Sequence, residues 1–241
     1  MFIVLPVMQC AVDLVNNVVT ALLDPESLPK LDFSKGVPPE FTTLVVVPTL
    51  LLKESQVRQL VTELEVRFLA NRDPHVHFAL LTDLADSVSK PHASDAHPLV
   101  DLAVHLIEEL NTKYAQHKSG AFVLLHRHRI FNLRQGVWMG WERKRGKLLD
   151  LNKLLTGEFD AFPIKAGRVE LLSQIRYVLT LDSDTQLPRK SAAKLIGTIA
   201  HPLNQAVIDP IRRVVVAGYG ILQPRVGVSV SSASQIGRAH V

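Results

Sequence analysis

The sequence predicts an α/β fold, a mostly parallel sheet flanked by helices, and three observations carry that expectation. Short apolar strands alternate with helix-spaced segments four times along the chain. The strands read as continuous apolar runs, as strands covered on both faces require. Two of these runs lead directly into carboxylates, which suits a sheet that binds ligands at its carboxyl strand ends.

Taken in order, Leu44-Val45-Val46-Val47 is a β-branched run ended by Pro48 and predicts a buried strand. Val57, Leu60, Val61, Leu64 and Phe68 recur at helical spacing and predict an amphipathic helix. Val76 to Leu81 is the next strand and closes on Thr82-Asp83. Leu99, Leu102, Ala103, Leu106 and Leu110 give a second helix, with Pro98 suited to its first turn. Ala121 to Leu125 is a third strand, and Leu148, Leu151 and Leu155 mark a short helix. Val178 to Leu181 is a further strand, leading to Asp182 and Asp184. Pro188 opens a helix with Leu195, Ile196 and Ile199 on one face, and Arg213–Ala217 and Ile221–Gln223 read as later strands.

With 241 residues the chain can hold one substantial domain with appendages. A hydrophobic share of 47% suits a folded, well-buried chain, and a net charge of only +4 argues against a nucleic-acid partner. The single cysteine, Cys10, excludes an internal disulfide framework and fits a reducing compartment. Residues 1–23 are mostly apolar but carry Gln9, Asp13, Asn16 and Asn17, and lack the basic start of a signal peptide. They read as a membrane-associated helix, either the end of a transmembrane span or a helix lying at the interface; a buried helix of a soluble domain is the alternative. Residues 24–41, with Pro25, Pro29, Gly36, Pro38 and Pro39, read as a linker, and 42–235 as the main domain. Residues 236–241 do not continue the preceding pattern and match a reading frame of a sequencing adapter. They are set aside, with the natural protein expected to continue beyond Gln235.

Two nucleotide motifs fail on inspection. Gly140-Trp-Glu-Arg-Lys-Arg-Gly146-Lys147 has one residue too many for a phosphate loop, and Leu148 stands where Ser or Thr should hold magnesium. Gly218-Tyr-Gly220 lacks the third glycine of a dinucleotide fold. The pair Asp182 and Asp184 is more informative. On an extended backbone alternate side chains share a side, so one divalent cation could bridge both to a diphosphate. That is the DxD arrangement of transferases that use nucleotide sugars. Asp83 could accept the N3–H of a uracil ring, or act as a turn or cap residue. The cationic stretch Trp138 to Lys147 could stabilise a departing nucleotide and stack a sugar on tryptophan, or be a solvated loop anchored by its tryptophans. His126 and His128 alternate on a strand, but no third ligand accompanies them.

The runs Thr43–Thr49, Leu81–Ser87, Met139–Leu148, Leu181–Thr185 and Gly218–Val226 resemble the glycosyltransferase domain of cyclic β-1,2-glucan synthases, glycosyltransferase family 84. The resemblance runs from about Leu28 to Gln235. It implies a GT-A-like (Rossmann-like) domain, here truncated at its C-terminus, on the cytoplasmic side of a bacterial inner membrane. It implies transfer of glucose from UDP-glucose, with Mg²⁺ or Mn²⁺, to a growing β-glucan acceptor. It assigns the nucleotide sugar to Asp83, Asp86, Arg143, Lys144, Arg145, Lys147 and Asp182, and the metal to Asp182 and Asp184. The catalytic base of an inverting reaction would lie beyond Gln235. The rivals are a non-catalytic nucleotide-binding module and a membrane-surface interaction module.

Overall fold

The computed structural model describes residues 4–23, 27–91, 97–116, 120–224 and 227. Five strands form the central sheet: β1 (Thr43–Leu51), β2 (Val76–Leu84), β3 (Phe122–His126), β6 (Ile164–Gly167) and β7 (Tyr177–Thr180). Their order is β6-β3-β2-β1-β7, with every pairing parallel except β3 with β6. Between β3 and β6 lie a two-stranded ribbon, β4 (Ile130–Asn132) with β5 (Val137–Met139), and a helix, α4 (Arg143–Leu155). A second ribbon, β8 (Val207–Ile208) with β9 (Val215–Ala217), follows α5 (Ser191–Ala200).

The strands alternate strictly between two cores, which is why they read as unbroken apolar runs. Val45, Val47, Phe78, Leu80, Phe122 and Leu124 face α2 (Glu54–Ala70), α3 (Pro98–Tyr114) and α5. Leu44, Val46, Ala79, Leu81, Val123 and Leu125 face the opposite way, toward Leu151 of α4, Phe162 and Leu171. The predicted mostly parallel sheet flanked by helices is therefore present.

Several expectations need correction. Pro48 does not end β1, which pairs with β2 as far as Leu51. Ile221–Gln223 is not a strand, and α5 starts at Ser191, three residues after Pro188. The N-terminal segment does form a helix, α1 (Val4–Leu22), but nothing in it supports the expected membrane span. Among the described residues no helix is long and apolar enough to cross a membrane. Gln9, Asp13, Asn16, Asn17 and Thr20 recur at helical spacing as a polar stripe, and that lowers its hydropathy. Residues 27–41 pack onto the domain: Leu31 N donates to Gly197 O (3.0 Å), Asn204 Nδ2 to Pro29 O (2.8 Å), and Val37 is buried. The segment 236–241, like Arg225 and Val226, lies outside the described residues.

Candidate functional site

The carboxyl ends of β1, β2 and β7 meet beneath the first turns of α4. β7 leaves β1 after the Val46–Thr180 pair, whereas β1 continues five residues further alongside β2. The chain steps off the sheet there, and Asp182 to Thr185 form a turn closed by Thr185 N donating to Asp182 O (3.0 Å). Asp182 and Asp184 are therefore not on extended backbone, as the sequence suggested, but both are exposed at this turn.

α4 reaches all three strand ends. Lys147 Nζ, almost fully buried, donates to Thr49 O of β1 (2.5 Å) and lies 3.2 Å from Asp83 Oδ2 of β2. One turn earlier Lys144 Nζ pairs with Asp182 Oδ1, and Arg143 Nη2 pairs with Asp86 Oδ2 at 2.6 Å. Residues three apart on a helix share a face, so Lys144 and Lys147 line one side. Arg145 does not join them in this arrangement; its ion pair is with Glu142 (2.5 Å). Burial pushes the Lys147 ammonium below its ordinary pKa, Asp83 opposes that, and the Arg127 and Arg143 charges add to the lowering.

Asp83 is fully buried, and its surroundings explain the glycines around it. Arg127 grips it with two bonds, Nε to Oδ1 at 3.0 Å and Nη2 to Oδ2 at 2.9 Å. The same guanidinium donates through Nη1 to Asp150 Oδ2 (2.9 Å), which also accepts from Trp141 Nε1 (2.9 Å). Burial alone would lower the Arg127 pKa; Asp83 and Asp150 together raise it. A Cβ on Gly140 would sit 2.4 Å from Asp83 Oδ2, and one on Gly146 would sit 2.0 Å from Trp141 O and 2.8 Å from Arg127 Nη1. The two glycines of the run that mimics a phosphate loop thus serve close packing around a buried ion network. Direct contact between Asp83 and a base would require that network to open. Asp86, three residues on, lies at the surface.

Trp138 and Trp141 part company. Trp141 is tied to Asp150, whereas Trp138 sits on the β4–β5 ribbon, 5.4 Å between ring centroids from Phe131, with its backbone paired to Ser87. His126 is buried, its Nδ1 2.9 Å from Thr82 Oγ1, and His128 is exposed. Among the described residues no group of three or more His, Cys, Asp or Glu could hold a metal ion. Two exposed carboxylates still suit magnesium, which takes one or two protein carboxylates and fills its octahedron with phosphate oxygens and water. A cavity of about 590 Å³ lies elsewhere, lined by Val76 at the start of β2 and by residues of the 30–36 segment, and by none of the strand-end cluster.

Sequence reasoning missed Arg127, Asp150 and Arg67. Arg127 lies between the two histidines that drew attention. Arg67 stands inside the apolar stripe of α2, a charged residue among core positions, which is the one signal that could have flagged it.

Fold and site define an α/β chain with an acidic turn and a cationic helix start at the carboxyl ends of parallel strands, where open sheets of this kind bind ligands. The chain is 43% identical over 231 residues, 96% of its length, to the cyclic beta-(1,2)-glucan synthase NdvB of Rhizobium meliloti (strain 1021). It spans 8% of the length of that relative. No family model matches it.

Proposed function

We propose that this chain is the donor-binding part of a metal-dependent, inverting glucosyltransferase of glycosyltransferase family 84 and GT-A type, using UDP-glucose to build β-1,2-linked glucan. The observation that carries the reading is the start of α4 lying across three strand ends. Arg143, Lys144 and Arg145 crowd the positive end of the helix dipole with no acidic residue in the first turn, and the backbone enters through Glu142 (φ 46°) and Arg143 (φ 47°). Each cation there costs about 0.3–1 kcal/mol against the dipole. Such a local conflict is expected at a functional site, where a bound anion would relieve it.

In this reading Asp182 and Asp184 would hold Mg²⁺ or Mn²⁺, and Lys144, now paired with Asp182, would turn to the donor's phosphates. The ion would supply charge neutralisation as UDP departs. Arg143, Lys144, Arg145 and Lys147 form the phosphate neighbourhood, with Lys147 fixed in place by Asp83 and Thr49. Asp83 or Asp86 meets the uridine, Asp86 from the surface and Asp83 on opening its pair with Arg127. The acceptor hydroxyl would give its proton to a general base, its oxygen would form the bond to the anomeric carbon, and the bond to the diphosphate would break with its electron pair leaving on UDP. The domain would face the cytoplasm at a bacterial inner membrane, with α1 lying along the surface.

Titration calorimetry with UDP tests the reading. Binding is expected to be strengthened by Mn²⁺, to weaken at least about tenfold with EDTA, and to weaken similarly on replacing Asp182 and Asp184 together by Asn, as the loss of charge-assisted contacts implies. UDP affinity indifferent to both treatments would point instead to a non-catalytic nucleotide-binding module.

A further inference from the structure

We infer that Arg67, on the core face of α2, is a positioning residue that sets the acidic turn in the shape that receives a cation. The inference rests on the reading of Asp182 and Asp184 given above. α2 buries Val57, Leu60, Val61, Leu64 and Phe68, and Arg67 shares that stripe at 5% exposure. Desolvating a guanidinium costs several kcal/mol unless its donors are well used. Arg67 uses them on residues far away in the chain: Nε donates to Thr185 O (3.0 Å) and Nη2 to Ser183 O (2.5 Å). A planar fork can take two carbonyls of one turn at once, and a lysine ammonium has no such geometry.

Asn71, one helical turn on, extends the clamp. Its Nδ2 donates to Leu187 O (3.2 Å), and its Oδ1 accepts from Ala192 N (3.0 Å), capping α5. Three alternate carbonyls, at 183, 185 and 187, are thus drawn toward α2. The residues between and before them, Asp182, Asp184 and Gln186, are exposed. The period-two arrangement expected from a strand is imposed on this stretch by α2, because the sheet ladder has already ended. Arg67 is not spent: its Nη1 is buried without a hydrogen-bond partner. Burial lowers its pKa, while Glu63 and the nearby Asp184 carboxylate raise it.

Mn²⁺ binding to the full chain, followed by electron paramagnetic resonance with UDP present, separates this role from general stabilisation. Arg67→Met keeps much of the apolar stem and removes the fork. It is expected to weaken Mn²⁺ about tenfold, the weight of one or two charged hydrogen bonds, while UDP binding in EDTA stays unchanged. Asn71→Ala is expected to lower the melting temperature with a much smaller effect on Mn²⁺. If Arg67→Met does not fold, Arg67→Lys carries the test, with a weakening in the same direction. Mn²⁺ affinity within twofold of the parent in a folded Arg67 variant overturns the inference, provided the Asp182→Asn and Asp184→Asn pair abolishes binding. If that acidic pair also leaves Mn²⁺ binding intact, the cation-site reading fails and the inference with it.

Discussion

His77 shows how one buried ring ties folding to pH. Its Nδ1 accepts a hydrogen bond from Ala121 N (3.0 Å), which requires that nitrogen to be unprotonated. Burial, with help from the Arg168 and His75 charges, depresses its pKa from 6.5 to about 4. The folded pKa is the lower one, so the stability is fully present above the unfolded value and is lost as pH falls from about 6.5 through about 4, where the unfolded chain takes up the proton first. The group's contribution across that window is about 3 kcal/mol. Urea unfolding at pH 7, 5.5 and 4 is expected to show this loss in the parent and a flatter profile in His77→Asn, which keeps an acceptor but does not titrate. A parallel pair of profiles counts against the assignment. At this scale the sequence announces some residues and hides others. Asp83, Asp182 and Asp184 are legible because each follows a short apolar run. Arg67 and Arg127 are not, since what defines them is a partner 116 or 44 residues away.

Among elements, α4 separates stability from binding. Its cations oppose the helix dipole but form ion pairs with Asp86, Asp182 and Glu142 at the surface. Exposed pairs stabilise by roughly 0–1 kcal/mol, about what the dipole takes away. Replacing Arg143 and Lys144 together by Gln is therefore expected to leave the melting temperature within roughly 2 °C of the parent. UDP binding is expected to fall several-fold and to lose part of its salt dependence, because screening acts on those exposed charges. Equal loss of stability and affinity would make these side chains structural. The sequence located α4 by Leu148, Leu151 and Leu155 but not its start, where positive backbone angles and tertiary ion pairs decide. It also passed over β6, whose lone Ile and flanking Lys165, Ala166 and Gly167 carry no strand pattern; its pairing with β3 comes from tertiary contact. The main strands were legible for the opposite reason, since burial on both faces writes continuous apolar runs into β1, β2 and β3.

For the whole molecule, the buried residues gather in the two cores on either face of the sheet, and α1 contributes to neither. Every α1 residue whose side chain is described is exposed, including Val7, Met8, Leu14 and Leu22. Its broad apolar face is broken only by the stripe from Gln9 to Thr20, and on the proposed reading that face lies in the membrane interface with the polar side to water. Removing residues 1–26 is thus expected to leave the thermal unfolding of the sheet domain unchanged, by differential scanning calorimetry, because the described side chains of α1 are all exposed. Flotation with vesicles of mixed phosphatidylethanolamine and phosphatidylglycerol should carry the full chain upward and leave the shortened chain behind. Salt should have little effect, because the helix holds apolar area and one acidic residue rather than a basic face. Flotation of both chains, abolished by salt, would transfer membrane contact from α1 to the cationic start of α4, and the strand-end site would then compete with lipid phosphate for the same side chains.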